Sequence, residues 1–283
     1  MLYLRNKEWE VAYVANKGGI LNYEQQFYLS GIRVSGITDI DGGFSIPDTP
    51  IDILGKGYTY SVRQGPIVGN FNISKYYIGE ELFLQYTGVE PMSGSINYGD
   101  QSFGFIDGYL TEYSLSAGIG QIPQANASVI VYGDLGGGIN VSGDESHPPI
   151  QIPNQGSIKI DVDGYSSNRI SDFQYTMRID REPVYAIGEP FPIHIHRVMP
   201  IMKEVTFNLE VFDYEIDKIS DFLIKPKHQD LSISFNNPID DSLIEKFTLE
   251  DATVVSQSIK SSVDDVLVVS LTYNAYINDS SKA

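Results

Sequence analysis

Apolar and polar residues alternate along much of this chain with a period of two, which is typical of half-buried β-strands. The segments PIVGNFNIS (Pro66–Ser74) and PIMKEVTFN (Pro200–Asn208) show the alternation clearly. Gly- and Pro-containing stretches separate such segments, and no long block rich in Ala, Leu, Glu and Lys indicates an extended helix. The pattern therefore predicts a mainly β protein.

One pattern of residues occurs twice. Ser35–Gly55 and Asn168–Gly188 align without gaps, and each runs from a Ser/Thr-Asp start through a strand to an apolar end that contains proline. The identical pairs are Ile37/Ile170, Asp39/Asp172, Ile46/Ile179, Pro50/Pro183 and Gly55/Gly188. Chance at ordinary composition gives roughly one or two such pairs.

The similarity continues in the same order after each copy. Gly55–Pro66 and Gly188–Pro200 are expected to form long projecting hairpins, and an alternating strand follows each of them. One short helix is then predicted in each half, near Gly79–Tyr86 and at Asp213–Lys225, where apolar residues share one helical face.

Each half closes with a predicted hairpin. Thr111–Tyr132 and Thr253–Asn274 align without gaps, and both consist of a strand, a polar turn and a second strand. The matched residues are Thr111/Thr253, Ser114/Ser256, Ser116/Ser258 and Ser128/Ser270. Gly94–Phe105 predicts a further hairpin in the first half, with Gly-Asp as its turn.

These matches predict an internal duplication; the alternative is a chance likeness of two β-rich stretches. The organisation is an N-terminal arm (1–30), a first domain (31–135), a Gly/Pro-rich linker (136–156) and a second domain (157–278). Each domain is expected to be a small β-sandwich or barrel with one short helix packed on it. Aromatic residues could let the arm clasp a neighbour: Tyr3, Trp9, Tyr13, Tyr23, Phe27 and Tyr28.

Composition narrows the possible functions. The chain has 37 acidic and 19 basic residues, a net charge of −18, and no cluster of Lys and Arg, which argues against tight binding of nucleic acid. Such a charge favours solubility or a surface that repels polyanions. The absence of cysteine excludes disulfides, thiolate metal sites and a cysteine nucleophile. No apolar run is long enough to predict a membrane span, and no export signal is expected.

Three motifs could carry ligand chemistry, but each has a simpler interpretation. His194 and His196 would share one face of a strand and could bind a metal, yet no third ligand lies nearby, which favours an ordinary pair of strand histidines. Asp39–Gly42 and Asp161–Gly164 resemble the start of a calcium loop without its later ligands, so both are interpreted as turns. Asp134–Asn140 is Gly-rich but lacks the Lys-Ser/Thr and the helix of a phosphate loop.

The case for an enzyme is weak. The chain has no Gly-x-Ser-x-Gly motif, and no pair among its many carboxylates stands out as a glycosidase pair. We therefore expect no catalytic residues, no cofactor and no metal. The abundance of tyrosine keeps a carbohydrate-binding module as an alternative, and a hydrolase as a weaker one.

The repeated plan of strands, a long hairpin, one short helix and a closing hairpin resembles the tail-tube proteins of tailed bacteriophages. The resemblance covers about Gly31 to Asn278 and rests on the order of the elements. It implies β-sheets that close an inner barrel between subunits, and hairpins that contact the next ring. It also implies fused double domains that form trimeric, pseudo-sixfold rings.

The expectation is therefore a structural virion protein, made in the host cytoplasm, that stacks in the phage tail and conducts DNA without binding it specifically. Its partners would be further copies and other tail proteins, with no membrane. Contacts between rings are expected at Tyr58, Tyr60, Phe191, His194 and His196. Candidates for an acidic, hydroxyl-rich bore are Ser114, Ser116, Ser256, Ser258, Asp264 and Asp265. A tail hub or distal-tail adaptor of the same fold is the nearest alternative.

Overall fold

The computed structural model describes residues 25–52, 55, 57, 59–63, 66–79, 81–143, 150–162, 165–167, 170–210, 228–261 and 267–278. These residues form 19 β-strands, and every strand pairing is antiparallel. Two 3₁₀ helices, Leu82–Tyr86 and Gln155–Ser157, are the only helices in this part of the chain. The prediction of a mainly β protein is confirmed.

The strands fall into two series. The first comprises β1 (Gln25–Leu29), β2 (Ile32–Val34), β3 (Ile37–Ser45), β4 (Asp48–Asp52), β5 (Thr59–Arg63), β6 (Val68–Tyr76), β7 (Met92–Tyr98), β8 (Gln101–Gly118), β9 (Gln124–Val131) and the short β10 (Leu135–Gly137). The second comprises β11 (Ile158–Val162), β12 (Tyr165–Ser167), β13 (Ile170–Arg178), β14 (Arg181–Val184), β15 (His194–Arg197), β16 (Ile201–Glu210), β17 (His228–Asn236), β18 (Leu243–Lys260) and β19 (Val268–Ile277).

The two series have the same topology. In the first half the strands pair in the order β3-β6-β9-β8-β7-β1-β2, and in the second half in the order β13-β16-β19-β18-β17-β11-β12. Hairpins β4-β5 and β14-β15 form separate two-stranded sheets at the same place in each series. Pairing of β8 with β13 joins the halves into a single 15-stranded sheet.

The halves also share a local irregularity. A β-bulge interrupts the pairing of β3 with β6 between Ile37 and Asp39, and another interrupts β13 with β16 between Ile170 and Asp172. Bulges re-aim a strand and are specific features of a fold, not random defects. The two halves thus match both in topology and in the position of this bulge.

Strand pairing corrects one part of the repeat alignment. We call residues that lie opposite each other across neighbouring strands a rung. The rung after the bulge runs Asp39, Ser74, Asn126, Ser114 in the first half and Asp172, Asn208, Ser270, Ser258 in the second. Ser114 therefore corresponds to Ser258, whereas the ungapped alignment had matched it with Ser256. Pairing, and not residue identity, fixes which positions are equivalent in a sheet.

The hydrophobic core lies between the eight joined strands and two outer arms. One outer arm comprises β7, β1, β2 and the first part of β8, and the other comprises β17, β11, β12 and the first part of β18. Strands β8 and β18 each have 18 residues, long enough to pass from the sheet into the arm. In the first half Phe27 of the outer arm stacks on Phe71 of the joined strands, with ring centroids 6.0 Å apart. In the second half Phe235 meets Phe173 at 5.9 Å, and it also meets Tyr77 of the first half at 4.8 Å. The halves consequently share one continuous core.

A buried ion pair lies within this core. Lys75 Nζ is 3.2 Å from Glu81 Oε1, and the side chains of both residues are almost fully buried. The Tyr113 hydroxyl donates to Glu81 Oε2 at 3.2 Å. Burial, and next the nearby Glu81 carboxylate, raise the pKa of Tyr113 well above its ordinary value. The network connects β6 and β8 to the start of the Leu82–Tyr86 helix.

Several local predictions can be compared with the structure. The hairpins of Gly94–Phe105 and Thr111–Tyr132 are confirmed as β7-β8 and β8-β9, and that of Thr253–Asn274 as β18-β19. The first predicted helix is a 3₁₀ helix over Leu82–Tyr86, and the second lies outside the described residues. The projecting hairpins begin earlier than predicted, at β4 and β14.

The interpretation of Asp39–Gly42 as a turn is wrong, because these residues lie inside strand β3. Gly42 is needed there for packing, since a Cβ atom would lie 2.5 Å from the ring of Phe71. In the second such motif Asp161 belongs to β11, and Asp163 and Gly164 lie outside the described residues.

The predicted arm and linker both contribute strands. Residues 25–29 of the arm form β1, and Phe27 and Tyr28 are buried within their own chain. The other aromatic residues of the arm lie outside the described part. Leu135–Gly137, at the start of the linker, pairs with β8 as β10.

Candidate assembly surface

Eight strands form a continuous antiparallel sheet in the order β3-β6-β9-β8-β13-β16-β19-β18. Alternate residues point into the core, so the remaining ones form the opposite face, which we call the polar face. Ser114 and Ser116, for example, alternate with the buried Tyr113 and Leu115. The polar face includes Asn70, Asn72, Ser74, Asn126, Ser128, Ser114, Ser116, Gln174, Thr176, Thr206, Asn208, Ser270, Thr272, Asn274, Ser256 and Ser258.

Hydrogen bonds between strands order this face. Asn208 Nδ2 donates to Asp172 Oδ1 at 2.6 Å, and the hydroxyls of Thr206 and Thr272 form a hydrogen bond of 3.0 Å. Arg178 Nε donates to Glu112 Oε2 at 3.3 Å across the pairing of β13 with β8. Such pairs hold short polar side chains in place on an exposed sheet.

Acidic residues outnumber basic ones on the polar face. The carboxylates are Asp39, Asp41, Glu112, Asp172 and Glu204, and the cations are Arg178 and Lys260. Four of the predicted bore residues, Ser114, Ser116, Ser256 and Ser258, lie on this same face, and Asp264 and Asp265 lie outside the described residues. The face therefore combines hydroxyl and amide groups with an excess of negative charge.

The sheet has two unpaired edges among the described residues. Strand β3 pairs only with β6, which leaves its other edge open. The first part of β18 pairs with β17, but Val254–Lys260 pairs only with β19. Open strand edges expose rows of backbone donors and acceptors and are natural sites for pairing with another chain.

The projecting hairpin β14-β15 carries three of the predicted contact residues. Phe191 is 38% exposed, and several apolar neighbours at the tip are also exposed, including Ile187 and Ile193. His194 and His196 lie on one face of β15 with ring centroids 4.4 Å apart. Of the other two predicted residues, Tyr58 and the side chain of Tyr60 lie outside the described residues. The sequence interpretation of the histidines as a pair on a strand is confirmed.

Two arginines fix the base of this hairpin to the first half. Arg181 donates through Nη1 to the Gly88 carbonyl at 2.6 Å and through Nε to the Leu110 carbonyl at 3.1 Å. Arg197 Nη1 donates to the Thr87 carbonyl at 3.0 Å. Burial lowers the pKa of Arg181 to about 10, with a further contribution from the adjacent Arg197. The hairpin is thus held by charge-assisted hydrogen bonds to backbone carbonyls.

Comparison with known proteins leaves the family of the chain open. No protein-family model matches it, and no curated protein matches it either. No described helix has the length and apolar character needed to cross a membrane. The described residues contain no group of three or more His, Asp or Glu side chains placed to hold a metal ion.

Sequence reasoning missed the two open edges and the arginines that hold the hairpin. The edges depend on which strands pair over long distances, and no local pattern reports that. Arg181 and Arg197 could have attracted attention as basic residues that flank an otherwise apolar hairpin.

Proposed function

We propose that this protein is a structural subunit of a phage tail tube, assembling as trimeric, pseudo-sixfold rings that stack into a conduit for DNA. The observation that carries the proposal is the eight-stranded sheet, which has one polar face and an open edge at each end. A sheet that pairs head to tail with copies of itself closes a ring when the rotation between copies allows it.

The dimensions of such a ring suit the proposal. Three copies would supply roughly 24 strands, and at ordinary strand spacing and tilt these enclose a barrel roughly 50 Å wide between opposing backbones. The core and the outer arms occupy one side of the sheet. The polar face would consequently line the bore.

The chemistry of the polar face suits the passage of DNA. Its carboxylates repel phosphate groups, and its short hydroxyl and amide side chains offer no basic cluster to hold the duplex. The exposed apolar tip of β14-β15, with Phe191, His194 and His196, would contact the next ring in the stack. The function is thus assembly and conduction, without catalysis.

Negative-stain images of the purified protein over a range of concentrations test this proposal. Rings with a central hole and three- or sixfold views, stacked into tubes, are the expected result. Single rings that never stack would favour the hub or adaptor alternative. Dispersed monomers at every concentration, with binding to a glycan array, would overturn the proposal in favour of an adhesion module.

A further inference from the structure

The pairing of β8 with β13 inside one chain provides a template for the contact between two chains. We infer that Val254–Lys260 of one copy pairs with β3 of a second copy in one defined register, fixed by a charge pair between Lys260 and Asp41. This inference rests on the proposed function and specifies the partner strand, the register and the residues that select them.

Equivalent rungs give the register. The two bulges show that each residue of β13 corresponds to the residue of β3 that lies 133 positions earlier in the chain. The counterpart of Ser114 in the second half is Ser258. Within the chain Ser114 lies opposite Thr176. Between copies Ser258 therefore lies opposite Gly43, the counterpart of Thr176.

Exposure differs between the halves at the residues that this pairing would cover. Met177 of β13 is 2% exposed, whereas its counterpart Phe44 of β3 is 51% exposed. Leu115 of β8 is fully buried, whereas its counterpart Ile259 of β18 is 55% exposed. The same positions are thus buried where the junction exists and exposed where it is missing. Burial of exposed apolar side chains would favour the contact between copies.

The two junctions carry their charge pairs on different rungs. Inside the chain the pair is Arg178 with Glu112, at 3.3 Å. Between copies that rung holds Ser45 and Ser256, and the opposite charges of Asp41 and Lys260 face each other four rungs along. Asp41 and Lys260 are both exposed, and neither belongs to an ion pair between described residues.

Open edges and charge together select the partner strand. Strands β8 and β13 each have a neighbour on both sides within the chain, so β3 and Val254–Lys260 are the open edges of the eight-stranded sheet among the described residues. Pairing of β3 with β3, or of β18 with β18, cannot place Asp41 opposite Lys260, so the opposite charges favour β18 with β3.

Disulfide trapping tests the register, because the natural chain contains no cysteine. We would introduce Gly43→Cys with Ser258→Cys; a Cβ atom at Gly43 meets nothing within 4 Å. Opposed residues of antiparallel strands have Cα atoms about 4.5–5.5 Å apart, within disulfide range. The control, Gly43→Cys with Ser256→Cys, is displaced by two residues, which places the two Cα atoms about 7–8 Å apart, beyond disulfide range.

Oxidised Gly43→Cys/Ser258→Cys protein should form covalent multimers, and the control should form far fewer. If images show rings but the cysteines at 43 and 258 do not link in preference to the control pair, the register is overturned and the proposed function stands. Covalent multimers without rings would support the pairing and count against the tube. A chain that neither links nor forms rings would overturn both.

A charge exchange tests the selecting pair. Asp41→Lys and Lys260→Asp should each raise the protein concentration needed for assembly by about tenfold, and the double variant should restore it. Asp100→Lys, at the exposed β7-β8 turn, is the matched control and should have no effect. Equal assembly by all variants would overturn the role of the pair.

Discussion

Phe44 and Met177 occupy equivalent rungs of the two half-sheets, yet Phe44 is 51% exposed and Met177 is 2% exposed. Within one chain Met177 is covered because β8 pairs with β13, and no described strand does the same for β3. The folded chain therefore has one paired junction and two open strand edges among the described residues.

Alanine at these two positions should separate folding from assembly. Met177→Ala should lower the free energy of unfolding by about 2–5 kcal/mol, because it removes a buried side chain. Phe44→Ala should lower it by clearly less, about 1 kcal/mol, in the dispersed chain, because about half of its side chain is exposed. It should also weaken assembly. Urea unfolding and sedimentation velocity measure the two effects. Equal destabilisation of the dispersed chain by both variants would contradict the difference in burial.

Removal of one partner of the buried Lys75–Glu81 pair should be costly. Lys75→Met or Glu81→Leu alone leaves a buried charge without its partner, and we expect a loss of about 3–5 kcal/mol of stability. The double variant should lose clearly less than the sum of the two. A double-mutant cycle in urea measures the coupling, and additive losses would show that the pair is not coupled.

Stability should fall at alkaline pH. Burial raises the pKa of Tyr175 above the ordinary tyrosine value of about 10 in the folded chain. Above pH 10 Tyr175 is ionised in the unfolded chain but keeps its proton in the folded chain, so rising pH favours unfolding. Urea unfolding between about pH 8 and pH 11 follows the loss.

Tyr175→Phe provides the control for this effect, since the Tyr175 ring packs against Phe247 at 4.9 Å and phenylalanine keeps that contact. Its free energy of unfolding should depend less on pH above 10 than that of the natural chain. An unchanged pH profile would show that other groups cause the alkaline loss.

Added positive charge on the polar face should convert a surface that repels DNA into one that holds it. Assembled rings of the natural chain should not retain duplex DNA, whereas rings of the Asp39→Lys/Glu204→Lys variant should bind it. This binding should weaken as the salt concentration rises. Filter retention at several salt concentrations measures both. Tight binding by the natural rings would contradict a conducting role, and images of the variant must first show intact rings.

Local sequence features predicted much of the fold. Alternation located β6 and β16, and the Gly-Asp pair located the turn at Gly99 and Asp100 between β7 and β8. The repeat in the sequence predicted that the two halves contain similar elements in the same order. These features were predictable because strand periodicity and turn chemistry are local properties.

Other features depend on contacts far apart in the sequence. The pairing of Ser114 with Thr176 across the halves cannot be deduced from either segment alone, nor can the open edge of β18. Asp39–Gly42 resembled a turn by composition, but packing of Phe71 over Gly42 and pairing with β6 hold it as a strand. Tertiary pairing here overrides local preference.

The position of the polar face in the assembled ring is the most direct test of the tube proposal. Because the natural chain has no cysteine, Gln174→Cys places a single gold-labelled thiol on that face, and Asp100→Cys places one on the outer arm. Electron micrographs of labelled rings should show gold within the central hole for Gln174→Cys and away from the hole for Asp100→Cys. Gold on the outer rim for Gln174→Cys would contradict a bore lined by the polar face.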